Sequence, residues 1–199
     1  MRAVYCESFN PDDPLKGLVI GEGAAAIVIE SLDHARKRSA NILGEIMGFG
    51  MSADAGDLLS PDAGGMTRAI RAALADGGLS AADIAYVNAH GTGTAANDET
   101  ETQALKLSFG EHAKKLVMSS NKSMIGHALG AAGALELVAT LMTIREGIVP
   151  PTINYLGPDP VCDIDCVPNE ARTMRVDAAI SNSFAFGGLN AVLAVRRFA

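Results

Sequence analysis

Apolar residues in DAGGMTRAIRAALADGG, from Asp62 to Gly78, recur at helical spacing and stop at Gly77-Gly78, which predicts a helix with a glycine stop. Just before it, ILGEIMGFGMSAD predicts a strand bent at its glycines. IAYVNAH (Ile84 to His90) predicts a strand that runs straight into the loop HGTGTAANDETE. Asn97 or Asp98 can cap the helix that follows, through about Phe109, with Glu99 and Glu101 in a first turn where the helix dipole favours negative charge. KLVMSSNKS predicts a strand with Lys122 at its end. GHALGAAGALELVATLMTIREG predicts a long helix, so rich in Gly and Ala that it must pack closely against another backbone. AAISNSFAFGGLNAVLAVRRF predicts two strands joined across Phe184 to Gly188.

The N-terminal part is harder to place. MRAVYCESFNPDDPLKG joins a short amphipathic start to a turn rich in Pro and Asp, and looks like a domain entered partway. LVIGEGAAAIVIES (Leu18 to Ser31) is apolar almost throughout, as in a strand buried on both faces. Its interior charge, Glu22, then has to face a subunit contact or pair with an Arg or with backbone amides. HARKR reads as a solvated link, and the Pro-rich stretch from Pro150 to Pro168 as a linker. Strands alternating with helices in this order argue for an α/β fold with a mixed sheet between helices.

Composition narrows the function. A chain of 199 residues, 48% apolar and 20% charged, can bury a real core in one or at most two domains. A net charge of -7 offers no basic field for nucleic acid. No apolar run reaches the length of a membrane span, so neither nucleic acid nor membrane is expected, and a reducing cytoplasm fits best. Cys6, Cys162 and Cys166 are odd in number and lack the spacing of a zinc site, so they read as free thiols and no metal is expected.

Ligands of α/β sheets sit beyond the carboxyl ends of strands, and three such ends carry polar residues here. His90 ends one, Lys122 and His127 follow the next, and Phe184 to Gly188 sit at the last. Each has a bland reading: His90 as a strand-end imidazole bonded to a carbonyl, His127 as a helix N-terminal imidazole, Lys122 as a surface charge, SFAFGG as a tight core turn. Together, two histidines that can stay neutral and a lysine resemble a hydrogen-bonding site for a developing oxyanion. The Gly-Thr loop lacks the terminal Lys of a P-loop, so a phosphate cradle is a weak alternative.

NAHGTGT, SSNKSMIGHALGAAGALE, PPTIN and NSFAFGGLNAVL, in this order and spacing, closely resemble the C-terminal half of the β-ketoacyl-acyl-carrier-protein synthases. The likeness runs from about Gly17 to the last residue. It implies a thiolase-like fold, here the half with a mixed five-stranded sheet between helices. Residues 1–40 would be a remnant of the N-terminal half, and 41–199 the C-terminal domain. It also implies a decarboxylative Claisen condensation of malonyl thioester with an acyl chain, in fatty acid or related biosynthesis. No cofactor beyond the carrier's phosphopantetheine is implied. Acyl carrier protein, a homodimeric or heterodimeric partner and an N-terminal half, in cis or in trans, are the implied partners.

Residue by residue, the resemblance makes His90 and His127 the active-site histidines and Lys122 the supporting cation. Glu136 resembles the family's buried structural glutamate. Thr92 and Thr94 resemble its pantetheine contacts, and short hydroxyls can bond the amides of such an arm. Phe186 resembles a gate over the nucleophile, freed to move by Gly187 and Gly188.

The departures matter too. No TACSS-like segment carries a nucleophilic cysteine, CESFNPDDPLKG replaces the family's RPFD…DRDG pattern, and Ala185 stands where a glycine is usual. The histidines would therefore act only once a thiol comes from elsewhere. The alternatives left open are a non-catalytic partner in the manner of chain-length factors, and an inactive truncated product.

Overall fold

A computed structural model describes residues 17–198. Its elements are α1 (Leu32–Lys37), β1 (Glu45–Ala53), α2 (Ala63–Asp76), β2 (Tyr86–Asn88), α3 (Ala95–Phe109), β3 (Val117–Ser119) and α4 (Lys122–Ile125). There follow α5 (Ala132–Glu146), β4 (Ile148–Val149), β5 (Arg172–Thr173), β6 (Ala178–Ala185) and β7 (Leu189–Arg196). Five strands form one mixed sheet in the order β1-β7-β6-β2-β3. β2 runs parallel to both β3 and β6, whereas β7 is antiparallel to β1 and β6. β4 and β5 form a separate antiparallel ribbon. The mixed five-stranded sheet between helices is as expected.

Alternation along the strands divides the core between two layers. Val87, Ile180, Val192 and Ala194 point toward α2 and α3, where they meet Ile70, Ala73, Leu105 and Phe109. Tyr86, Ala179 and Val195 point the other way, onto Leu137 and Ile144 of α5. Asp62 caps α2 by accepting from the Gly65 amide at 2.7 Å, and Gly77 ends the helix, as its sequence predicts. Close packing of α2 on β1 rests on two glycines. A Cβ on Gly50 would fall on the Ala69 carbonyl oxygen, and one on Gly48 on that of Ala73.

Several expectations are corrected. Leu18 to Ser31 is not a strand buried on both faces: only Ile20 forms a bridge, with His127, and Val28 and Ile29 are 79% and 73% exposed. A strand needs a neighbouring backbone, and this segment has one only at that bridge. Glu22 is accordingly exposed rather than buried. The HARKR link belongs instead to α1, capped by the Ser31 hydroxyl. α3 begins at Ala95, so neither Asn97 nor Asp98 is its cap; both are buried in its first turn. Glu101 is buried as well, not displayed to the dipole. The long helix begins only at Ala132, after a single 3-10 turn at Leu129–Ala131, which leaves His127 outside it. The expected linker from Pro150 to Pro168 is packed in place, with Thr152, Ile164 and Cys166 buried. Cys6 lies outside the described residues. Among the described residues no helix is long and apolar enough to cross a membrane.

The β1 glycines give a direct test. Gly50→Val should cost about 1–3 kcal/mol by overpacking, seen as a lower urea midpoint, whereas Gly56→Ala, where an added Cβ meets nothing within 4 Å, should leave it unchanged. Equal midpoints for the two variants would mean that α2 does not need the close approach.

Candidate active site

Four elements end at one place. β2 delivers His90, whose backbone amide donates to Glu101 Oε1 at 3.0 Å, while the next amide, Gly91, donates to Oε2 at 2.9 Å. The same carboxylate accepts from Asn182 Nδ2 on β6 at 3.0 Å and from Asn97 Nδ2 at 3.4 Å. Gly91 takes a φ of 39°, in the left-handed region, and its carbonyl accepts from Ser120 Oγ, just past β3, at 2.7 Å. The histidine loop is thus gripped from α3 and from the residue after β3. In the sequence Glu101 reads only as a helix-dipole charge, and Asn182 is not singled out. The available signal was an acid at a buried-face position of α3, in step with Asp98, Leu105 and Phe109.

His127 is held by its backbone. Its amide donates to the Val19 carbonyl at 2.7 Å, and its carbonyl accepts from Gly21 at 3.0 Å. Gly21 and Gly126 permit this approach, since a Cβ on Gly126 would lie 2.9 Å from Gly21 Cα. Leu129, at a φ of 50°, turns its amide back to donate to His127 Nδ1 at 3.0 Å. The neutral ring therefore carries its proton on Nε2. The two imidazoles meet edge to face, centroids 5.4 Å apart, and Phe184 stands edge-on to His90 at 6.0 Å.

Lys122 is no surface charge. It is buried at the start of α4, and its Nζ donates to Glu136 Oε1 on α5, also buried. Burial pushes the Glu136 carboxyl up to about 7 against the opposing pull of Lys122. Burial likewise holds His90 well below the usual imidazole range, reinforced by the Lys122 charge and by His127. His127 is lowered by burial and then by Lys122. Both rings are in consequence neutral donors at physiological pH. Asn88 Oδ1, Glu136 Oε2 and Asn182 Oδ1 are buried without a protein donor, the kind of acceptor that water or a hard cation satisfies. No group of three or more His, Cys, Asp or Glu able to hold a metal occurs among the described residues.

His90, His127, Thr92, Thr94, Phe184 and Phe186 line one cavity of about 530 Å³. The Thr92 and Thr94 hydroxyls bond each other at 2.8 Å. Phe186 stands 69% exposed at the β6–β7 turn, where Gly187 and Gly188 adopt φ of 79° and 72°. That turn is tied to the loop after β1: Gly187 donates to the Leu58 carbonyl and Asp54 to that of Gly188, each at 2.9 Å. Leu58 and Asp54 also line the cavity, and neither is marked by a motif in the sequence. Neither Cys162 nor Cys166 lines it, and burial pushes both thiols up, away from the thiolate.

Comparison with known proteins agrees with this geometry. Residues 43–156 match the β-ketoacyl synthase C-terminal domain. Nodulation protein E of Rhizobium sp. (strain N33) is 55% identical over 192 residues, covering 96% of this chain and 47% of that protein. The 3-oxoacyl-[acyl-carrier-protein] synthase 2 of Coxiella burnetii is 53% identical, covering 98% of this chain and 50% of that protein. Among solved structures, the ishigamide ketosynthase/chain length factor superposes with a TM-score of 0.89 at 42% identity, over 92% of this chain and 45% of that one. A type II PKS ketosynthase in complex with its acyl-carrier protein gives 0.84 at 39% identity, over 85% of this chain and 42% of that one. The chain spans about half the length of the relatives it matches. In fold and in sequence the chain belongs to the thiolase-like β-ketoacyl synthase family, of which it carries the C-terminal domain.

Proposed function

We propose that this chain supplies the histidine side of a decarboxylative Claisen condensation on acyl-carrier-bound thioesters. The observation that carries the reading is the pair of neutral imidazoles, 5.4 Å apart in one cavity, with His127 fixed as an Nε2–H donor. The malonyl thioester carbonyl accepts hydrogen bonds from His90 and His127. Its C–C bond to the carboxylate breaks, carbon dioxide leaves, and the electron pair passes to an enolate oxygen held by the two donors. The enolate carbon then attacks an acyl thioester on a cysteine, a C–C bond forms, and the thiolate departs.

We place that cysteine in a ketosynthase N-terminal half, joined in cis or in trans, because the sequence has no TACSS-like segment and, among the described residues, Cys162 and Cys166 do not line the cavity. Thr92 and Thr94 contact the pantetheine arm, Phe186 acts as the gate, and Lys122, held by Glu136, adds to the burial that keeps the imidazoles neutral. The presence of both histidines favours this reading over a non-catalytic chain-length-factor-like partner.

Two experiments test it. In an enzyme reconstituted with a ketosynthase N-terminal half, His90→Ala or His127→Ala should each lower malonyl decarboxylation on the order of a hundredfold or more, the effect of a lost oxyanion donor. Near-normal decarboxylation by either variant removes that histidine from the mechanism, and a stoichiometric acyl adduct on this chain alone, by intact mass, removes the need for an outside thiol.

The second experiment follows the protons. Lys122→Met deletes a positive charge that disfavours a second one nearby, and leaves Glu136 to stay neutral in its buried site. The apparent pKa of both imidazoles, followed by NMR titration, should therefore rise. Unchanged titration would mean that burial alone sets their protonation.

A further inference from the structure

Helix α5 is apolar on two opposite sides. Leu137 and Ile144 pack on the sheet, while Val138 and Met142 face outward, 40% and 38% exposed. A helix of this kind lies between two layers in a finished fold. On the same face of the sheet a strip is bare. Gly48 and Gly50 turn toward α2, so alternation sends Phe49 and Met51 to the α5 side, where Leu189 joins them from β7 opposite Ala53. These three are 47%, 62% and 57% exposed. The strip is two strands wide, roughly 10 Å, the spacing at which one helix packs.

One face thus offers both an apolar helix and a helix-wide bare strip, which makes it self-complementary. A second copy turned about a two-fold axis can lay its α5 on this strip and receive this α5 on its own, giving sheet, paired helices and sheet. In such a contact each patch meets itself, so a charged patch would repel. None of the five residues is charged. Charges around the face are engaged within the chain: Glu45 pairs with Arg196, Glu30 with Arg38 and Arg145 with Glu146, and Asp76 accepts from the Phe49 amide. The area is adequate: a helix about 22 Å long and a strip about 26 Å long, each roughly 10 Å wide, project to about 480 Å² before side-chain relief. Relief brings this toward the roughly 800 Å² per partner of a stable interface.

We propose that, where no ketosynthase N-terminal half covers this face, a second copy of the chain does, each α5 seated on the partner's β1–β7 strip. The idea draws on the functional reading only for the identity of the competing half, and its test reads association rather than catalysis.

Sedimentation equilibrium of the 199-residue chain should give a dimer. V138E/M142E should shift it to monomer with an unchanged circular dichroism spectrum, and L107E, which charges an exposed site on α3, should leave the dimer intact. Should V138E/M142E fail to fold, mixing F49C chains with V138C chains should give a disulfide-linked pair under mild oxidation. A monomer at every concentration, a dimer that V138E/M142E leaves intact, absence of the mixed disulfide, or a face that pairs only with an added N-terminal half overturns the proposal.

Discussion

Much of this site hangs on one buried carboxylate. Glu101 takes four donors, from two successive amides of the histidine loop and from two asparagines on α3 and β6. A carboxylate so buried is costly unless its lone pairs are filled, and charge-assisted bonds to backbone amides are among the stronger ways to fill them. Because those amides belong to His90 and Gly91, satisfying the charge also sets where the imidazole stands. Three elements that meet at a sheet end are pinned by one residue.

A second buried charge works in the opposite sense. Lys122 and Glu136 stabilise each other against desolvation, and the Lys122 charge also acts on the rings beside it. Its cation lies near two rings that burial already disposes to lose their protons. Burial is the larger influence on both histidines, and the lysine adds to it. An imidazole that stays neutral donates a hydrogen bond without bringing a full charge into an enclosed site, which is what an incipient enolate requires.

Much of this was legible in the chain itself. The helical period of residues 62–78 and the glycine stop appear as read, and His90, His127 and Phe186 line one cavity, with the buried Lys122 charge acting on both rings. The errors share a cause. Helix starts were read from local chemistry, and at α3 the capping residue types, Asn97 and Asp98, are consumed by the core instead. Leu18 to Ser31 has the composition of a buried strand without the neighbours that would make it one, and composition cannot report on neighbours. The roles of Glu101 and Asp54 are not legible locally because their partners lie 81 and 136 residues away in sequence, at Asn182 and Asn190.

The segment with the composition of a strand is also the one that holds His127. Val19 and Gly21 bond its backbone on both sides, and the chain from there runs on to Val28 and Ile29, which are largely exposed. Local stability in a segment with few buried contacts is low, so its two backbone bonds to His127 hold only as firmly as the segment does. Whatever covers the outer side of this layer therefore bears on the candidate site through the backbone, without touching an imidazole. His90 is anchored by a filled carboxylate inside the domain, whereas His127 is anchored by a strap whose own packing is left open. The two imidazoles of the site thus differ in what fixes them, and only the second depends on how the domain's open face is closed.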